Sequence, residues 1–327
     1  MKRREFIAGL GATAGLPPAA WAQQKPAPVI GFLSPGPPGA GGPLLGGFRL
    51  GLGESGYTEG QNVTIEYHWV EASDQLAAMA ADLVGRKVDV IMVVTDPVAR
   101  AAQAASSTIP VVFFIGGDPV ANGLVTSLSR PGGNLTGLTI FGDELNPKRL
   151  ELLSALVPDA REIALLVNPD NPLGAAGPVM SGKMQESAHA KGVQLHIVNA
   201  ASEGEIDAAF ARLAERRIRG LIIDTDLFFF GQRQQIVSLA ARHSIPAIYY
   251  RREFVMAGGL VGYGPSFATA YQQAGAYAGK ILAGAKPSDL PVLQPAKFEL
   301  VINAKAVKAL GLAIPPSVLA LADEVIE

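Results

Sequence analysis

Read for its apolar and polar positions, the chain alternates short β-branched runs with stretches of helical period, the pattern of parallel sheets covered by helices on both faces. The runs predict strands over 29–33, 63–67, 88–94 and 111–115, and a second series over 163–167, 193–198, 220–223 and 247–250. Leu76, Met79, Ala80 and Leu83 form an i, i+3, i+4, i+7 stripe after Ser73. Ile206, Ala209, Phe210 and Leu213 repeat it after Ser202, where Glu205 completes a capping box. Each stripe predicts a helix that lays one face on a sheet.

The two series repeat at a nearly constant offset of 129 to 136 residues, so the chain reads as an internal duplication. Val29-Ile-Gly-Phe-Leu-Ser-Pro35 overlies Ile163-Ala-Leu-Leu-Val-Asn-Pro169, which sets Ser34 against Asn168. Ile91-Met-Val-Val-Thr-Asp96 overlies Leu221-Ile-Ile-Asp-Thr-Asp226, and both end in Thr-Asp. Residues 104–125 align on 240–261 without a gap, with eight of twenty-two positions identical, a match that shared βα periodicity does not explain.

The fold class expected is therefore α/β, two doubly wound parallel-sheet lobes with a cleft between them. The first lobe would take 27–134 plus 264–290 and the second 135–263 plus 291–327. The crossings are expected in the Gly/Pro-rich 130–137, at 262–265 and in 286–295, with 267–282 a helix returning to the first lobe and 298–303 a strand of the second. Open parallel sheets take ligands outside the carboxyl ends of their strands, where helix N-termini offer N–H donors. A cleft between two such rims closes about a hinge on a small molecule.

Composition narrows the choice. The 327 residues are 49% hydrophobic and 17% charged with net charge −2, which fits a globular fold and argues against nucleic acid as a partner. There is no cysteine, hence no disulfide, Cys-ligated metal, thiol catalysis or lipidated N-terminal Cys. Residues 1–22 read as an export signal: Lys2, Arg3 and Arg4, an apolar stretch over 7–16, and Ala20-Trp21-Ala22 as a cleavage site before Gln23. Arg3-Arg4-Glu5-Phe6 resembles a twin-arginine signal, with a general secretory signal or a retained anchor as the alternatives. Removal of the segment makes the mature chain more acidic and places it in the periplasm.

Two motifs are only apparent. Gly51-Leu-Gly-Glu-Ser-Gly56 spells the dinucleotide fingerprint but follows a helical stretch instead of a strand, where Gly56 serves as a C-cap. Gly177-Pro-Val-Met-Ser-Gly-Lys183 approximates a phosphate loop, yet Met184 stands where a Mg²⁺-binding hydroxyl is required. His68, His189, His196 and His243 lack metal spacing, and no Gly-x-Ser-x-Gly elbow anchors a triad, so neither a catalytic centre nor a cofactor is expected. What remains is a set at the predicted strand ends: Ser34, Thr95, Asp96, Phe114, Asp118, Asn168, Asp224, Thr225, Asp226 and Tyr250. Hydroxyls and amides can fix a carboxylate, an Asp can take an ammonium, and aromatic faces can cover an apolar body. Asp96 and Asp118, each before a proline, equally suit turn caps. Alternation leaves Phe113 and Tyr249 as core candidates, and the Phe228-Phe229-Phe230 run favours the core over the cleft wall.

Gly31-Phe-Leu-Ser-Pro35, Gly56-Tyr-Thr-Glu-Gly-Gln-Asn62, Gly117-Asp-Pro-Val120, Arg130-Pro-Gly-Gly-Asn134, Lys148-Arg-Leu-Glu-Leu-Leu153, Ile245-Pro-Ala-Ile-Tyr249 and Lys297-Phe-Glu-Leu-Val-Ile-Asn303 give the chain a family likeness nearly end to end. It resembles the substrate-binding proteins of ABC transporters of the tryptophan/tyrosine type. The resemblance implies a type I periplasmic-binding fold, no catalysis, and a small-molecule ligand, an amino acid or related compound, delivered to a membrane permease with its cytoplasmic ATPase. A monomer is expected, since docking needs both lobe tips free. Thr95-Asp96-Pro97 stands where such relatives commonly carry Gly and Thr-Pro, and Asp224-Thr225 where small residues are common, two added acids that favour a cationic or hydroxyl-rich ligand. The alternatives are an exported hydrolase or lyase using Asp96 and Asp226, and a ligand-sensing module for a membrane receptor.

Overall fold

The computed structural model describes residues 26–36, 42–70, 73–171, 178–295 and 297–327; the expected export segment lies outside them. Strands β1 (Val29–Pro35), β2 (Thr64–Val70), β3 (Val90–Val94), β4 (Val111–Ile115) and β5 (Leu135–Thr139) form a five-stranded sheet in the order β2-β1-β3-β4-β5, parallel throughout. Strands β6 (Glu162–Val167), β7 (Gln194–Asn199), β8 (Gly220–Ile223), β9 (Ala247–Tyr249), β10 (Val261–Pro265), β11 (Phe298–Asn303) and β12 (Glu324–Ile326) form a second sheet in the order β12-β11-β10-β9-β8-β6-β7. Its β7-β6-β8-β9-β10 part repeats the order of the first sheet, and only the β10–β11 pairing is antiparallel. Every residue of β3 and β4 is buried, as sheets covered on both faces require.

The helices are α1 (Gly42–Glu54), α2 (Leu76–Gly85), α3 (Asp96–Ala105), α4 (Asn146–Leu156), α5 (Pro178–Ala190), α6 (Glu203–Glu215), α7 (Leu227–Gly231), α8 (Arg233–Arg242), α9 (Arg252–Met256), α10 (Phe267–Leu282), α11 (Ala304–Ala309) and α12 (Pro316–Leu319). Ser202 caps α6, its Oγ accepting from the Glu205 N–H at 3.3 Å, while the returning Glu205 carboxylate reaches one residue past the cap and accepts from the Ala201 N–H at 2.7 Å. Of the apparent fingerprint's glycines, Gly51 lies in a helix–helix seam, while Gly53 and Gly56 face open space. A Cβ on Gly47 would sit 2.6 Å from the Ala268 carbonyl, one on Gly279 2.6 Å from Ser55 Cβ, and those on Gly51 and Gly275 closer still to facing backbone, so α1 and α10 pack main chain to main chain. Gly56, at φ +81°, ends the turn after α1 in the left-handed region that glycine enters without strain.

The crossings fall later than the Gly/Pro pattern indicates. β5 pairs with β4, so 135–139 belongs to the first sheet and the chain crosses after it, at 140–142. Arg130 to Asn134 instead forms the turn entering β5, with Thr126 and Ser127 hydroxyls on the Arg130 carbonyl. Gly264 and Pro265 still pair in the second sheet, which moves the second crossing to 266. The stretch to Leu293 stays with the first lobe through the Leu293–Leu138 bridge, so the third crossing follows it. Turn residues mark where a chain bends; which sheet receives the next strand is decided by the pairing. As expected, α10 packs on the first lobe, against α1, β3, β4 and β5, and β11 lies in the second sheet.

Candidate functional site

Both sheets end their strands at rims that converge on the crossings. In the first lobe, Ser34 sits at the end of β1, buried, with its hydroxyl on the Pro35 carbonyl at 3.3 Å. Thr95 joins β3 to α3 with φ +83° and ψ 154°, a conformation that a β-branched residue adopts only under strain. Its Oγ1 is fully buried and has no hydrogen-bond partner. Asp96 opens α3, and its carboxylate takes the N–H groups of Gly116 at 3.3 Å and Gly117 at 3.2 Å and the Asn122 amide at 2.6 Å. Burial raises its pKa against those three bonds. Asp118 stands apart from the set: it is exposed, and its Oδ1 caps the following turn through the Val120 and Ala121 N–H groups at 2.8 and 3.2 Å. Phe114 lies on the α10 face of β4, packed on Phe267 at 5.7 Å and Tyr271 at 5.2 Å.

The second lobe gathers its predicted residues more tightly. Asn168, at the end of β6, donates to Asp226 Oδ2 at 3.0 Å, and Asp226 Oδ1 accepts from the Phe229 N–H at 2.7 Å, so this Asp is the N-cap of α7. Burial pushes the Asp226 carboxyl up to about 6. The Tyr250 hydroxyl, at the end of β9, donates to the Asp226 carbonyl. Asp224 Oδ1 is held by the Asn146 amide at 2.8 Å and the Thr225 N–H at 2.8 Å; its Oδ2 is buried without a partner, and burial raises its pKa. Asn171 donates to the Thr225 carbonyl at 2.6 Å. The acids are thus mostly engaged in holding the rim loops, while Thr95 Oγ1 and Asp224 Oδ2 keep unused capacity.

Sequence reasoning missed two arginines. Arg251 stands two residues beyond β9, is 2% exposed, and lies over the rings of Phe230 at 3.8 Å and Phe267 at 4.1 Å, with two of its nitrogens on Glu253 at 2.7 and 3.1 Å. Burial would raise the Glu253 carboxyl, but Arg251 holds it below its ordinary value. The available signal was position, since Arg251 comes straight after an apolar run, as Asn168 and Asp224 do. Arg149, on α4, is fully buried. The Phe run divides: Phe229 is core, while Phe230 is half-buried and stacks on Arg251.

Among the described residues no group of three or more His, Cys, Asp or Glu is placed to hold a metal, and no helix is long and apolar enough to cross a membrane. A hollow of about 930 Å³ opens at the opposite end of the first sheet, lined by Tyr57, Asp89, Pro110 and Lys286, away from these groups.

Residues 43–326 match the model of a family described as ABC transporter substrate binding protein. A tyrosine-binding protein of Clostridioides difficile (strain R20291) is 28% identical over 268 residues, 81% of this chain and 76% of the relative. A crystal structure of an ABC domain in complex with L-Trp from Streptococcus pneumonia superposes with TM-score 0.80 at 25% identity, covering 91% of this chain and 99% of that one. A ligand-free, open substrate binding protein with adhesive properties from Clostridium difficile, at 26% identity and the same coverage, gives a TM-score of 0.67.

Proposed function

Because the chain belongs to the family of ABC transporter substrate-binding proteins, we propose that it is an exported solute receptor that clamps an amino acid between its strand-end rims and hands it to an ABC permease. The observation that supports this reading is the pair of same-ordered open sheets, each with buried polar residues at the carboxyl ends of its strands. Ser34, Thr95, Asn168, Asp224, Thr225 and Tyr250 are the proposed ligand contacts. Arg251 and its two phenyl neighbours form a rigid charged wall beside them. The free Thr95 hydroxyl and Asp224 oxygen suit an ammonium or hydroxyl donor on the ligand. Phe114 contributes by backing Phe267, Asp96 by fixing Gly116 and Gly117, and Asp226 by fixing Asn168 and Tyr250.

The aromatic amino acids named for two relatives, tyrosine and L-Trp, are the first candidates. The better fit to the L-Trp complex than to the open, ligand-free relative supports reading this structure as the closed form. Periplasmic placement rests on the N-terminal pattern and monomeric state on the need for free lobe tips. The deciding experiment is a thermal-shift screen of the twenty amino acids followed by calorimetry. L-Tryptophan or L-tyrosine is expected to raise the melting temperature and to bind with a Kd near micromolar, about −8 kcal/mol. Indifference to every amino acid would overturn the reading.

A further inference from the structure

Arg149 stands outside the strand-end set, yet it ties that set to the crossings. Its Nη1 donates to Asn146 Oδ1 at 2.6 Å, to Thr225 Oγ1 at 3.3 Å and to the Gly142 carbonyl at 3.5 Å, and its Nε donates to the Tyr263 carbonyl at 3.0 Å. Those acceptors come from four pieces of the chain: the start of α4, the rim of β8, the first crossing, and β10, which feeds the second crossing. Gly142 is gripped from both lobes, since its N–H donates to the Gly116 carbonyl beyond β4 at 3.1 Å while its own carbonyl faces Arg149. A Cβ on Gly142 would lie 3.2 Å from Thr225, so pivot and cleft wall are in contact. Asn146 extends the network to Asp224.

We propose that Arg149 is a positioning residue for closure: it sets the angle of both crossings and couples that angle to the cleft through Thr225. This rests on the reading of the cleft as the ligand site. One planar fork reaching several fixed acceptors has no substitute in a lysine, which is a point charge on a flexible stem. A ligand that presses on the β8 rim therefore shifts Thr225 against Arg149, and the strain is relieved by moving Gly142 at the first crossing and the Tyr263 carbonyl of β10, the strand that leads into the second.

The chain has no cysteine, so a dye pair can be placed cleanly at Val120→Cys, where the native residue is 40% exposed, and at Gly204→Cys, where a Cβ meets nothing within 4 Å. Single-molecule transfer between these sites reports the distance between lobes in the wild type, Arg149→Lys and Thr225→Val, with and without L-tryptophan. Cooperative unfolding is expected to persist. The closed-to-open ratio at saturating L-tryptophan should fall about tenfold in both variants, the scale of one hydrogen bond to a charged group, and the ligand-free distances should broaden. Thr225→Val keeps the proposal testable if Arg149→Lys fails to fold; since Thr225 is also a proposed ligand contact, its ligand-free widths carry the test in that variant, and unchanged widths would overturn the proposal. Wild-type ratios and widths in the variants would overturn it. A wild type that ignores L-tryptophan and every other amino acid sinks the ligand reading instead, and the ligand-free widths then decide the proposal: broader supports it, unchanged ends it.

Discussion

Two residues carry opposite kinds of stress. Asp226 is buried as an acid: removal from water pushes its carboxyl up to about 6, against bonds from Phe229 and Asn168 that favour ionisation, and Asp224 nearby adds to the rise. An unfolded Asp titrates near 3.9. Between about 3.9 and about 6 the folded protein holds a proton that the unfolded chain has released. The contribution of this group therefore strengthens the fold as pH falls from 7 towards 4 and is lost as pH rises through 6. Asp226→Asn removes the titration, so the gap between urea midpoints at pH 5 and pH 7 should shrink; an unchanged gap would refute the assignment. Thr95 is stressed in its backbone instead. Glycine accepts φ +83° freely, and such strain is worth about 1–3 kcal/mol. Thr95→Gly should then leave the urea midpoint level or raise it, although a buried methyl is lost. If Thr95 Oγ1 meets the ligand, the same variant weakens binding. A loss of stability above about 2 kcal/mol, the lower end for truncating a core side chain, would show that no strain was relieved.

At the level of elements, the seam between α1 and α10 makes the sharpest claim. Gly275→Ala drives a methyl into the Phe48 carbonyl and should cost about 3 kcal/mol, the upper end of overpacking. Gly46→Ala, on α1 with open space around it, should gain about 0.5–1 kcal/mol from helix propensity. Chemical denaturation of the two variants checks the contrast, and similar effects would mean that the helices are not in main-chain contact. Such elements were legible because their signals are local: the apolar runs became strands, and Ser202 with Glu205 became a cap. β5 was assigned to the wrong lobe because Leu135-Thr-Gly-Leu-Thr139 follows a Gly/Pro turn, and nothing within five residues says which sheet it joins. Arg149 stood in the sequence only as part of a likeness-bearing segment, and its role could not be read there, since its acceptors Thr225 and Tyr263 lie 76 and 114 residues away. The strand-end polar residues of the second lobe were legible as a set because duplication put them at matched positions. That the acids would spend most of their bonds on rim loops was not.

Across the whole molecule, one apolar cluster runs from Phe32, Phe48 and Phe114 through Phe267 and Tyr250 to Phe254 and Phe229, so the lobes share a core at the crossings. The proposed hinge motion is then a rocking about a packed floor. If this structure is the closed form, as proposed, X-ray scattering should give the ligand-free protein a larger radius of gyration than the structure has, and L-tryptophan should reduce it; a compact, unresponsive profile would argue against rocking. Neither lobe is continuous in the chain, for α10 belongs to the first sheet's side yet follows β10 of the second. During synthesis the first sheet and α1 therefore emerge with the face of Phe32, Phe48 and Phe114 uncovered, and it stays bare until residues 267–282 have left the ribosome. The N-terminal half therefore cannot complete its core until the C-terminal half has been made.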